Sequence, residues 1–385
     1  MDGKNKLMTK TKNNFAAMSV TALLAACLWL AAVNCFAAQT NHDFSAVTAK
    51  VQDWVDKGYY PGAAMLVAKY NQIIYQKCFG SYTPDTSVLI ASAGKWLAAA
   101  TVMSLVDEGK LSLDDHPSKF LPEFKNDPKD KATLRQMLSH TSGYPPYQPK
   151  DKPVDKYQTL FESVEHLLPL PPDYQPGERF DYGGLAMQVA GRMVEVATGK
   201  DWETLFQDRI AKPCQMTNTH FVPVDQGGGH SPMLGGGARS NLRDYANFLS
   251  MIFNDGKFGE KRVLSAKAVR EMQADQLRGA FVKQPEFPAR VRGATHNSIY
   301  GLGEWREDLD LRGNAVLISS PSWAGAYPWI DKTTGVYGVI IAHVDGAKAG
   351  PDKFSGFYSS PELAALVREI LKHETDLKNS ASQPH

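Results

Sequence analysis

Between residues 92 and 107 the chain is apolar nearly all round: Trp96, Leu97, Ala98, Ala99, Ala100, Val102, Met103, Leu105 and Val106 leave no face for solvent. A helix with that pattern has to be buried, with other elements packed on every side, and Gly109 stops it. The remaining chain must supply that cover. Strand patterns occur towards both ends. Apolar runs at 63–68 and 73–79, joined by a turn at Tyr70-Asn71, predict an antiparallel pair; strands are predicted again at 315–318, 326–330 and 336–343. The last two are separated by the turn residues Asp331-Lys332-Thr333-Thr334-Gly335.

Helical spacing of Phe44, Val47, Val51, Trp54 and Val55, ended by Gly58, predicts an amphipathic helix over 43–57. Further helices are predicted at 185–197, 202–210, 243–253 and, starting after Ser360-Pro361, at 363–371. Residues 144–177, rich in Pro, Tyr, Lys and Asp, predict a long surface excursion. The fold class is therefore α/β in the α+β sense: one antiparallel sheet built from both termini, flanked by helices, with an α-helical subdomain. The expected boundaries are 39–135 with 290–378 for the sheet-containing part, 136–289 for the helical part and 379–385 for a tail.

The first 38 residues read as a signal peptide, since Lys4, Lys6, Lys10 and Lys12 precede a long apolar stretch with small residues near Cys35–Ala38. Export to the periplasm or beyond is expected. Leu24-Ala25-Ala26-Cys27 offers an alternative, a lipid on Cys27; membrane contact is expected only through the leader or that lipid. Lys plus Arg number 42 against 41 Asp plus Glu, so overall charge gives no reason to expect a nucleic-acid partner. Only Cys78 and Cys214 fall outside the leader, too few for a disulfide framework. The ten histidines show no metal-ligand spacing. No metal or cofactor is expected, and the partner is a small-molecule acyl substrate.

Ser92 has a lysine three residues later, at the start of the buried helix. There the free N–H groups and dipole favour negative charge, and residues three apart share a face, so Lys95 can reach the Ser92 hydroxyl. A neutral lysine, its pKa lowered by burial, can take the serine proton. The phrases Leu89-Ile90-Ala91-Ser92-Ala93-Gly94-Lys95, Leu111-Ser112-Leu113-Asp114-Asp115, Lys119-Phe120-Leu121-Pro122 and Leu134-Arg135-Gln136-Met137-Leu138-Ser139-His140-Thr141-Ser142-Gly143 follow in that order. Later come Phe180-Asp181-Tyr182-Gly183-Gly184, Gly235-Gly236-Gly237-Ala238-Arg239-Ser240 and Tyr300-Gly301-Leu302-Gly303. Together they resemble the serine β-lactamase and penicillin-binding-protein superfamily, in its class C β-lactamase and family VIII carboxylesterase branch.

The resemblance implies a cleft between the sheet and the helical subdomain. It implies Ser92 as nucleophile, Lys95 as its partner and Tyr182 as the tyrosine that relays protons. It also matches Trp323-Ala324-Gly325 to the third motif, with Gly325 allowing close approach of substrate and the N–H groups of Ser92 and Ala326 forming an oxyanion hole. Three decoys compete. Tyr245-Ala246-Asn247 spells the family's tyrosine motif inside an amphipathic helix, where tyrosine is most simply a packing residue; Lys332-Thr333-Thr334-Gly335 lies in a turn; and His140 reads as part of a structural turn.

Two departures bear on substrate. Relatives acting on penicillins or D-Ala-D-Ala peptides carry a cation where this chain has Trp323, and an asparagine where it has Gly184. Trp323 offers apolar area instead, which favours a carboxylesterase of small acyl esters. The alternatives are a β-lactamase, a D-Ala-D-Ala carboxypeptidase or a D-aminopeptidase, with Arg239 as a replacement cation. A non-catalytic envelope binding protein is the alternative of another class.

Overall fold

Tyr70 and Asn71 both adopt left-handed backbone, with φ of 47° and 67°, and so turn the N-terminal apolar runs into a hairpin of β1 (Gly62–Lys69) and β2 (Gln72–Gly80). The computed structural model describes residues 42–148, 159–221 and 233–381, with side chains to residue 373. The expected leader, Cys27 included, lies outside the described residues, as do residues 382–385 of the expected tail.

The hairpin forms one end of a six-stranded sheet whose other members come from the C-terminal part: β3 (Trp305–Leu309), β4 (Ala315–Ser319), β5 (Tyr327–Asp331) and β6 (Val336–Ala342). Their order is β2-β1-β6-β5-β4-β3, with every neighbour antiparallel. Ala63 faces Ala342 and Lys69 faces Val336 across the seam that joins the two chain ends. Both faces of the central strands are covered, so their side chains alternate between two cores. Met65, Val67, Val336 and Ile340 belong to one; Leu66, Ala68, Val339 and Ile341 belong to the other.

On the first face lie α1 (Ser45–Asp56), through Val47, Val51 and Trp54, and the C-terminal helix Glu362–Ala381, through Leu363, Val367 and Leu371. The opposite core is larger. It takes in α2 (Gly94–Asp107), α3 (Leu185–Thr198) and α4 (Leu242–Phe253), with α4 lying on β6 and α2 surrounded by further helices. That surround is why α2 needs no polar face: Trp96 through Ala100 are all fully buried.

Several elements differ from the sequence expectation. Strand β3 was not anticipated, because Trp-Arg-Glu-Asp-Leu reads as loop. Its charges are buried in partnership: Glu307 pairs with Arg292 and Arg306 donates to the carbonyls of Gln273, Ser298 and Gly313. Within the predicted surface excursion, Leu160–Leu167 is a helix capped by Thr159, with Leu160, Val164 and Leu167 buried. Its short apolar stripe is hidden in sequence by flanking Pro and Lys. The C-terminal helix also runs to Ala381, well beyond the predicted 371.

Candidate active site

The turn that presents Ser92 is backbone-strained and held from several sides. Ala91, immediately before it, has φ of 42°, an unfavourable left-handed conformation for a residue with a Cβ. The Ile90 N–H donates to the Ala238 carbonyl at 2.9 Å, within a small sheet of Val88–Leu89, Ala238–Ser240 and His220–Phe221. The Ser320 hydroxyl donates to the Ser92 carbonyl at 3.2 Å, and the Tyr245 hydroxyl to the Ala93 carbonyl at 2.7 Å. Tyr245 thus supports the turn from within the core, fully buried against Phe248. Gly303, with φ of 76°, packs so closely on the Lys95 carbonyl that a Cβ there would lie 2.5 Å from its oxygen.

Lys95 lies one helical turn along, buried, with Nζ 3.2 Å from Ser92 Oγ and also donating to the Gly235 carbonyl. Burial lowers its pKa to about 7, so near neutrality a large share of the amine is unprotonated and able to accept a proton. Its ammonium nitrogen stands 4.7 Å from the centroid of the Tyr182 ring. The Tyr182 hydroxyl is buried and makes no hydrogen bond of ordinary geometry to the described residues, although Ser92 and Trp305 lie close enough to favour its ionisation. Burial is the stronger effect and raises its pKa. The phenol is therefore the protonated partner in the resting site.

Aromatic packing fixes that phenol. His140 meets its ring at 4.7 Å and Trp305 at 5.1 Å, while the His140 ring nitrogen lies 3.2 Å from the Tyr300 hydroxyl. His140 is buried, and burial first, then the Lys95 charge, holds its pKa well below the ordinary imidazole value. It abuts the site as a neutral packing group. Gly183 is pressed against Pro146, where a Cβ would come within 2.3 Å of the carbonyl oxygen. Gly184, at the N-terminus of α3, has open space instead, with Gly235 Cα at 3.8 Å.

The segment after Ser320 leads to Trp323, which lies in a turn, 60% exposed, with its ring edge-on to His343. Ala324 accepts from the Val344 N–H, and Ala326 is buried just before β5. Gly325 has φ of 115°, and a Cβ there would meet the Tyr60 ring at 2.7 Å; its smallness is required by packing inside the fold. Lys332-Thr333-Thr334-Gly335 is the β5–β6 turn, with the Thr333 N–H and hydroxyl donating to Asp331.

Several contributors were not legible in the sequence. The Gly235 carbonyl, Ser320 and Trp305 reach the centre only through tertiary packing. Glu304, which follows Gly303, was not legible either: it is fully buried, and neither carboxylate oxygen makes a hydrogen bond of ordinary geometry to the described residues, although Trp96 lies close enough to favour its ionisation. Burial raises its pKa to about 8. Below about pH 4.5 both folded and unfolded chains carry this proton. Between there and about 8 only the unfolded chain loses it, so stability falls as pH rises, and above 8 the full penalty remains, roughly 5 kcal/mol. Glu304→Gln is expected to match the parent near pH 4 and to melt several degrees higher at pH 9. Equal melting temperatures at both pH values would mean that the carboxyl ionises without cost.

A family model described as Beta-lactamase matches residues 47–354. The crystal structure of a putative beta-lactamase from Bacteroides dorei DSM 17855 is 51% identical and superposes with a TM-score of 0.83, over 86% of this chain and 100% of that one. A putative D-alanyl-D-alanine carboxypeptidase from Escherichia coli O157:H7 is 32% identical over 397 residues, spanning 81% of this chain and 85% of the relative. The fold is shared with EstCE1, a hydrolase with promiscuous acyltransferase activity, at 19% identity and a TM-score of 0.66, covering 85% of this chain and 97% of that one. Against Protein flp of Staphylococcus aureus (strain MW2), 27% identical over 194 residues and 47% of this chain, the match spans 39% of the relative's length.

Proposed function

Since this chain belongs to the Beta-lactamase family, we propose that it is an exported serine hydrolase that forms an acyl-enzyme on Ser92 and acts on small acyl esters. The observation that carries the reading is the buried amine of Lys95, 3.2 Å from Ser92 Oγ and with a pKa lowered to about 7. In this reading Lys95 takes the Ser92 proton as Oγ attacks the acyl carbon, the N–H groups of Ser92 and Ala326 receive the oxyanion, and the Tyr182 hydroxyl protonates the departing group. Water then attacks the acyl-enzyme and frees Ser92. The basic, apolar leader supports export.

Trp323 supports esters over β-lactams and peptides, since it puts an exposed aromatic ring where a cation would serve a substrate carboxylate. A second reading, cleavage of a D-alanyl-D-alanine terminus, is favoured by the 32% identical relative, a putative D-alanyl-D-alanine carboxypeptidase. One preparation assayed on a p-nitrophenyl ester, a chromogenic cephalosporin and a D-Ala-D-Ala peptide separates these. Dominant ester turnover supports the first reading, and dominant peptide cleavage replaces it with the second. A protein inert on all three and unlabelled by a fluorophosphonate would be a binding protein.

Trp323→Lys is expected to raise the ratio of kcat/KM for the cephalosporin to that for p-nitrophenyl butyrate about tenfold or more. The new cation assists the carboxylate, and lost apolar contact weakens the ester transition state by roughly 1–3 kcal/mol. An unchanged ratio would remove Trp323 from the acyl cleft.

A further inference from the structure

Arg239 occupies the middle of the short strand Ala238–Ser240, opposite Leu89 on one side and His220 on the other. Directly opposed residues project to one face of a sheet. Leu89, Arg239 and His220 are all half-buried, whereas Ala238 and Ser240 point into the core. The guanidinium therefore leaves from the face that carries Leu89, three residues before Ser92. At that place other donors and an apolar ring gather. His343, just past β6, brings Nδ1 to 3.5 Å from the Leu89 carbonyl, and its ring meets Trp323 with centroids 6.3 Å apart. The Tyr82 hydroxyl lies beside the His343 backbone and within electrostatic reach of Arg239.

The acidic residues of this flank are committed elsewhere. Asp85 pairs with Arg243, and Asp244 accepts from the Asn218 N–H and the Thr219 hydroxyl. Among the described residues no carboxylate forms an ion pair with Arg239. A half-buried guanidinium carries five donors in a fixed fork suited to a carboxylate, and its partial desolvation gains most when an anion arrives. Trp323 contributes apolar surface on the same flank, and Ser320, three residues before it, is bonded to the Ser92 carbonyl. A ligand filling this flank would join apolar chain to a terminal anion, with its acyl carbon at Ser92.

We propose that Arg239 is a specificity-determining residue that receives a carboxylate carried by the acyl substrate, so that the preferred substrates are acyl compounds bearing a carboxylate several carbons from the scissile bond. This rests on the reading of Ser92 as an acyl-forming nucleophile. The charge that the Trp323 position lacks is then delivered from a different element, the strand paired with the nucleophile's own segment.

The test compares mono-4-nitrophenyl adipate with 4-nitrophenyl hexanoate, which differ by a carboxylate in place of a terminal methyl. The parent is expected to prefer the adipate, with a preference that shrinks as salt rises. Arg239→Gln should lower kcat/KM for the adipate about 10- to 100-fold, the worth of a charge-assisted hydrogen bond, and change that for the hexanoate by less than about threefold. Arg239→Lys should keep part of the preference, as a point charge without the fork; it also carries the test if Arg239→Gln does not fold. An unchanged adipate-to-hexanoate ratio, or an equal fall on both esters, would overturn the assignment. Failure of the underlying reading looks different: the parent would hydrolyse neither ester and take no fluorophosphonate label on Ser92.

Discussion

Ser92→Ala is expected to abolish turnover and acyl-enzyme formation while leaving the fold intact. In the proposed mechanism the bond to the acyl carbon is made by Ser92 Oγ, the hydroxyl 3.2 Å from Lys95 Nζ. The fold should survive because the turn is held mainly by groups other than this side chain: the Ile90–Ala238 backbone bond, the Ser320 hydroxyl on the Ser92 carbonyl and the Tyr245 hydroxyl on the Ala93 carbonyl. The Ser92 hydroxyl caps neither adjoining helical turn, so its loss removes the hydrogen bond from Lys95 and costs on the order of 1 kcal/mol. Intact-mass analysis after brief exposure to an activated ester should show an adduct on the parent alone. An adduct of the same mass on Ser92→Ala would move the nucleophile elsewhere.

Lys95→Ala and Tyr182→Phe are each expected to slow acylation by about two to four orders of magnitude, the range for a positioned base or acid. The double variant should lose far less than the product of the two, because in the proposed mechanism the amine and the phenol serve one proton path around Ser92. The pH dependence separates their roles. Lys95 accepts a proton only when neutral, so acylation should rise about tenfold per pH unit below 7 and level off above, around the pKa of about 7 that burial imposes. Lys95→Ala should erase that limb. Tyr245→Phe is the contrast: it removes a hydrogen bond to the Ala93 carbonyl from a fully buried ring, so it should lower stability by about 1 kcal/mol or somewhat more and leave the pH limb in place. Loss of activity in Tyr245→Phe with near-parent activity in Tyr182→Phe would exchange the two tyrosines.

The sequence alone determined the features governed by local pattern. Alternation and turn residues predicted the hairpin of β1 and β2 and the pair β5 and β6, and the all-apolar run over 92–107 required a helix enclosed on all sides. The spacing of Ser92 and Lys95 put both on one helical face, and burial of that helix implied a lysine able to stand neutral. The motif order identified the family and pointed to Tyr182 over the literal motif at Tyr245.

What only the tertiary structure decided are arrangements between segments far apart in the chain, where local periodicity carries no information. The charged strand β3 reads as loop until Arg292, Arg306 and Glu307 meet their buried partners. Tyr182 is set by His140 and Trp305, the Lys95 amine by the Gly235 carbonyl, and the Ser92 carbonyl by Ser320. Gly325, read in sequence as admitting close approach of substrate, also has the Tyr60 ring 2.7 Å from where a Cβ would stand, a constraint only the fold shows. Glu304 carries no local signal in the sequence and is isolated by burial, while Arg239, offered by the sequence only as a replacement cation, is placed by strand pairing opposite Leu89. Desolvation and the availability of partners determine what a charged side chain does, and both are properties of the folded neighbourhood.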